Sequence, residues 1–169
     1  MGKTQIEIMH RTANEFLVIS SNGKTFIPNH VNTAFACEVF MKMILQHKVG
    51  CYKSDVINEK GKTVRIWTHD LMSLYNEVVK NVDEIVFLKI LGDKMLDCLY
   101  CLPTDDRPNI PFNAGNIKRD LVAMLNRHKD IFVTMRYNFE NPSDEVLSVD
   151  GNLRPFALAL KEFSEEIIG

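Results

Sequence analysis

Residues 30–48, HVNTAFACEVFMKMILQHK, are apolar around most of their helical circumference. A helix that is hydrophobic on nearly every side has to be surrounded by other elements rather than lie on a surface. This segment therefore sets the architecture, because the rest of the chain must supply enough amphipathic faces to wrap it. At 169 residues, 46% hydrophobic and 25% charged, the chain is long enough to do so around a single core without disulfide or metal staples.

The wrapping faces read as helices. Residues 4–19 place Ile6, Met9, Ala13, Phe16 and Leu17 at three- and four-residue steps, before the stop signal Ser20-Ser21-Asn22-Gly23. Pro28-Asn29 opens the central segment and Gly50 ends it. Asp70 is placed to cap a helix over about 71–81, and another is predicted over about 83–100 with Ile85, Leu88, Met95, Leu96 and Leu99 on one face. Three of the six prolines then fall in a polar connection, Pro103 to Pro111.

The next stripe runs through Ile117, Leu121, Met124, Leu125, His128, Ile131, Phe132, Met135 and Phe139, up to the stop Asn141-Pro142-Ser143. Leu153, Phe156, Ala157, Leu160, Phe163 and Ile167 mark a last helix, for which Asn152 is a cap. Residues 51–67 lack the helical period. There Tyr52, Val56, Ile57, Val64, Ile66 and Trp67 surround the turn-like Asn58-Glu59-Lys60-Gly61, which predicts an irregular loop or a short hairpin. The expected fold is all-α: one helical bundle of about six helices over residues 1–169, with that insertion at 51–67.

Composition narrows function only by exclusion. A net charge of -2 argues against a protein that coats duplex DNA through charge alone. No apolar run approaches the ~20 residues of a membrane span, and Met1-Gly2-Lys3-Thr4-Gln5-Ile6 has neither a signal-peptide h-region nor a myristoylation pattern. Four cysteines are too sparse for a secreted disulfide scaffold, so a reducing cytoplasm is expected.

Gly-Lys-Thr occurs at 2–4, 23–25 and 61–63, but Val18 and Val56 stand where the latter two would need the first P-loop glycine. Cys98 and Cys101 form a CxxC with no second ligand pair, and are expected as buried small hydrophobes. Asp105-Asp106-Arg107 reads as a solvated turn, and His10, His30 and His47 as surface or cap residues. No metal site and no cofactor are expected.

Three stretches carry candidate chemistry. Glu38, Lys42 and Gln46 recur at i, i+4 and i+8 on the central helix. They are either its exposed stripe or a polar seam whose charges find partners on another element. In Thr68-His69-Asp70-Leu71-Met72-Ser73-Leu74-Tyr75, His69 and Asp70 either cap a helix or present an imidazole to an anion. Arg136-Tyr137-Asn138-Phe139-Glu140 either pairs its own charges four residues apart or positions a guanidinium for phosphate or carboxylate. His128, on the apolar stripe, reads as a satisfied core histidine.

Together these stretches resemble a family. Asn32-Thr33-Ala34-Phe35-Ala36-Cys37-Glu38-Val39-Phe40-Met41-Lys42 is similar to the A-x-E-L-x-x-K helix of the HEPN superfamily, helical bundles named for nucleotide binding in higher eukaryotes and prokaryotes. Thr68-His69-Asp70-Leu71 followed by Leu74 resembles its G-H-D-L-x-x-L signature, and residues 128–140, HKDIFVTMRYNFE, its F-x-x-x-R-Y-x-x-E helix. The three occur in the family's order. The resemblance implies an all-α bundle, commonly homodimeric, found in toxin–antitoxin and phage-defence systems, with an antitoxin or nucleotidyltransferase-type protein as a partner.

Many HEPN members are metal-independent ribonucleases marked by R-x4–6-H. This chain departs from that motif, because no arginine stands five to seven residues before any histidine. Lys62, Thr63 and Val64 precede His69 at those positions, and Leu121, Val122 and Ala123 precede His128.

The expectation is a HEPN-like binding or interaction module without the ribonuclease motif. Its ligand site comprises Glu38, Lys42, His69, Arg136, Tyr137 and Glu140, and it binds nucleotide or RNA rather than membrane or duplex DNA. Arg136 would read the anion, His69 would be a second donor, and the two glutamates would orient the cations. The alternatives are a metal-independent endoribonuclease that uses His69 and Arg136 as its catalytic pair, or a ligand-free structural partner.

Overall fold

In the computed structural model the described residues are 3–22, 26–57, 59–66, 68–100, 110–128 and 153–169. They form α1 (Lys3–Asn22), α2 (Phe26–Val49), β1 (Ser54–Ile57), β2 (Thr63–Ile66), α3 (Leu71–Val78), α4 (Glu84–Tyr100), α5 (Ala114–Arg127) and α6 (Leu153–Ile168). The architecture is an all-α bundle carrying one small antiparallel hairpin.

α2 is the central rod that its composition demands. Ala34, Ala36, Cys37, Phe40, Met41, Met43, Ile44 and Leu45 are all fully buried. Pro28 falls in its first turn, where a backbone N–H has no intrahelical acceptor to lose. Gly50 stops it at φ 69°, with its N–H donating to the Gln46 carbonyl at 3.1 Å. α1 lies along one side of α2 and α6 along another, and α6 in turn packs on α4. An aromatic cluster fills the α4–α6 contact: Phe87 meets Phe156 at 5.9 Å and Phe163 at 5.5 Å, both edge to face. α3 sits against α2, and α5 covers α4. At that last crossing a Cβ on Gly92 would stand 2.6 Å from Ile117 Cδ1, so a larger residue there would require the end of the Ile117 side chain to shift.

Within the 51–67 stretch, Ser54–Ile57 and Thr63–Ile66 pair as a hairpin whose register sets Asp55 against Arg65 and Val56 against Val64. Gly61 at φ 69° supplies the left-handed residue of its turn. Packing of β1 on α3 supports a ribbon that would be marginal alone.

Several local expectations change. α1 runs through Ser20, Ser21 and Asn22 instead of stopping before them. The serine hydroxyls donate back to the Leu17 carbonyl at 2.7 and 2.9 Å, so these residues are satisfied within the helix. Ile85 is 55% exposed, because the buried face of α4 runs through Phe87, Leu88 and Leu91.

α5 ends at Arg127, and His128 is its C-cap, with its N–H donating to the Leu125 and Met124 carbonyls. The remainder of that predicted stripe, Ile131 to Phe139, lies outside the described residues, as do Cys101 and Asn152. His128 is buried, with Nδ1 2.8 Å from the Met124 carbonyl. His30, expected at the surface or at a cap, is buried too and meets the His128 ring edge-on at 5.9 Å.

Candidate functional site

The site begins with two local geometries. On α2, the i, i+4 spacing brings the Lys42 Nζ within 2.6 Å of Glu38 Oε1. At the start of α3, Asp70 is the N-cap and its carboxylate accepts from the Ser73 N–H at 2.7 Å. The Asp70 N–H in turn donates to the Thr68 hydroxyl at 2.9 Å. These two bonds fix the backbone on either side of His69.

Packing of α3 on α2 then joins the two pieces. His69 Nδ1 lies 2.9 Å from Glu38 Oε1 and 3.0 Å from Oε2. The glutamate side chain is 6% exposed, the lysine 13% and the histidine 71%. The Glu38–Lys42 line is thus a buried seam and not an exposed stripe, and Gln46 lies half-buried one turn further on.

A buried carboxylate is costly unless matched, and here an ammonium and an imidazole N–H match it. With Nδ1 donating to Glu38, a neutral His69 carries its lone pair on Nε2, and a protonated one donates from both nitrogens. The ring is therefore oriented by a carboxylate while most of its surface stays exposed. Lys42 Nζ also lies 5.8 Å from the centroid of the Tyr52 ring, on the segment leaving α2, so an aromatic face borders the cluster. Arg136, Tyr137 and Glu140 lie outside the described residues. Of the six expected site residues, the structure brings together Glu38, Lys42 and His69.

Two polar or aromatic features are not assigned to a site by the sequence reading. Tyr52, read there only as part of the 51–67 insertion, is one; an aromatic residue just past a helix-ending glycine is its only local signal. The other is a second polar chain, in which the buried Tyr75 hydroxyl donates to Glu84 Oε1 at 2.7 Å and Lys118 Nζ meets Glu84 Oε2 at 2.7 Å. Burial pushes the Tyr75 phenol up, and its hydrogen bond to Glu84 and the charge of Glu84 push the same way, so it stays a donor. For Glu84, burial acts upward, but the hydrogen bonds from Lys118 and Tyr75 and the Lys118 charge prevail and hold the carboxyl below its usual range. This chain ties α3, α4 and α5 together.

A separate cavity of about 760 Å³ opens between α4, α5 and residues 110–113, lined by Leu91, Met95, Phe112, Ile117, Leu121 and Met124 with Asp93, Asp120 and Arg127. None of Glu38, Lys42 or His69 lines it. Among the described residues there is no cluster of three or more His, Cys, Asp or Glu able to hold a metal ion. No helix among them is long and apolar enough to cross a membrane.

Comparison of the chain with protein families, with characterised proteins and with solved structures gives no match.

Proposed function

We propose that this chain is a HEPN-like helical binding module without the ribonuclease motif, and that it receives the phosphate of a nucleotide or RNA at the Glu38–Lys42–His69 cluster. One observation carries the reading: a buried glutamate, itself matched by a lysine, grips Nδ1 of a histidine whose side chain is 71% exposed. Here the carboxylate orients a ring that solvent and ligand can reach, and a protonated imidazole so held is a directional donor to phosphate. Arg136 is the further anion reader of the proposed site, with Tyr137 and Glu140 beside it in sequence. A homodimer, and a partner of the antitoxin or nucleotidyltransferase type, belong to the same proposal.

A second reading follows from the same geometry. A carboxylate-oriented imidazole is also the arrangement of a general base, so His69 could serve a metal-independent endoribonuclease together with Arg136. The deciding experiment measures binding and cleavage of a mixed RNA pool in EDTA by wild type, His69→Ala and Arg136→Ala. Binding that both substitutions weaken, with no cleavage above background, supports the binding module. Cleavage lost in both variants establishes the enzyme instead. Unchanged binding in His69→Ala overturns the site.

A further inference from the structure

We infer that the β1–β2 hairpin is a phosphate-tracking arm, along which an extended single-stranded polyanion seated at His69 continues to the lysines of the hairpin turn. The inference rests on the reading of His69 as a phosphate site and adds what that site alone does not specify, the length of the ligand.

Charge is the first argument. Residues 42–69 hold six Lys or Arg against Asp55 and Glu59, a net +4 in a chain whose net is -2, so the other residues together carry -6. Part of that charge, that of Lys42, is matched by Glu38. A basic segment inside an otherwise acidic protein concentrates the field where it can draw a polyanion while the remainder repels it.

Placement is the second. Lys53 precedes β1 and His69 follows β2 by three residues, so both belong to the open end of the ribbon, where Tyr52 and Lys42 also lie. Lys60 and Lys62 flank Gly61 at the closed end, and both are exposed. Four-residue strands rising ~3.3 Å per residue separate the two ends by ~13 Å. A mononucleotide held at His69 stops short of the turn, whereas a single strand reaches it. Among the hairpin residues whose side chains are described, Ile57 is the one large apolar residue exposed, which is little for a surface that docks by apolar burial in a lipid headgroup layer.

The test uses a fluorescein-labelled single-stranded RNA of about twelve nucleotides, read by anisotropy, and uridine 5′-monophosphate, read by the NMR shift of the His69 imidazole. Lys60→Gln/Lys62→Gln changes two exposed turn residues, and circular dichroism checks that the variant keeps its helix content. Loss of two phosphate contacts should weaken the long RNA about 25-fold at ~0.1 M salt and flatten the log–log salt slope by about 1.4, from 0.7 per contact on a single strand. Uridine monophosphate should bind as in wild type.

Unchanged affinity for the long RNA, with the mononucleotide still shifting His69, overturns the arm and leaves the His69 site standing. A mononucleotide that leaves His69 unmoved, while the long RNA still depends on Lys60 and Lys62, overturns the His69 site and places phosphate binding on the hairpin alone. Lysine-dependent binding to phosphatidylserine vesicles but not to RNA overturns the arm in favour of a membrane surface.

Discussion

Truncating Glu38 to alanine separates what holds the bundle together from what the site presents. The Lys42 side chain is only 13% exposed, and its Nζ sits 2.6 Å from Glu38, so Glu38→Ala leaves a nearly buried ammonium without its counter-charge. Removing one member of a buried pair costs about 3–5 kcal/mol. The His69 side of the cluster adds little, because an ion pair with a 71% exposed member falls near the exposed limit of about 0–1 kcal/mol.

The expected order in urea unfolding, followed by helical circular dichroism, is therefore a loss of about 3–4 kcal/mol for Glu38→Ala and under about 1 kcal/mol for His69→Ala. At about 2–4 °C per kcal/mol for a chain of this size, Glu38→Ala should melt roughly 6–16 °C below wild type. Glu38→Met/Lys42→Met removes both charges at similar volume and should return to within about 1 kcal/mol of wild type. If His69→Ala destabilises as much as Glu38→Ala, the imidazole is a structural member of the seam. If Glu38→Ala costs under about 1 kcal/mol, Lys42 has found water and the seam is not a desolvated one. Either result refutes the reasoning.

Other perturbations have equally definite outcomes. Asp70→Ala removes the α3 cap and should cost about 1 kcal/mol, and Asp70→Asn should recover most of it; equal losses in the two would show that the cap bond is not what matters. Tyr75→Phe and Lys118→Met each remove a hydrogen bond holding Glu84 below the usual carboxylate range. A group with a depressed folded pKa adds stability that is complete above its unfolded value, about 4.3, and is lost as pH falls through the folded one. The urea midpoints of wild type and these variants should therefore differ at neutral pH and converge in acid, and a gap independent of pH would count against that role for Glu84. Burial pushes the Cys37 thiol up and keeps it from solvent, while Cys51 is partly exposed. Mass-spectrometric mapping should find Cys51 alkylated in the native protein and Cys37 only as fast as the chain unfolds; rapid native labelling of Cys37 would contradict its packing.

What the sequence discloses follows from the range of each interaction. The central position of α2 is legible because all-round apolarity is a property of one segment, and the α3 cap is legible because Asp70 and Ser73 are three residues apart. Glu38 and Lys42 are visible as a pair but not as a buried one. Their environment is decided by α3, whose His69 meets Glu38 across 31 positions of chain. Tyr75, Glu84 and Lys118 belong to three helices and leave no periodic trace.

The errors have the same origin. His30 is polar and near a helix start, which locally favours the surface, yet packing sets it against His128. The stripe that predicts one long helix through residue 139 cannot reveal that His128 takes a capping conformation at φ -99°, ψ 6°.

The position of α6 bears on how fast such a chain can fold. α1 and α2 meet through neighbouring sequence, so their pairing demands little loop closure. The centre does not close until α6 arrives, as the contacts Cys37 to Leu153 and Ser21 to Arg154 show, with sequence separations of 116 and 133 residues. Loop entropy must be lost before contacts of that separation stabilise anything. Folding should therefore be slower than for a helical protein of equal length whose helices pack only on their sequence neighbours, with a collapsed species in which an α1–α2 pair waits with its apolar flank uncovered. Excess synthetic peptide spanning residues 153–168, added during refolding, should compete for that flank and slow recovery of the native state.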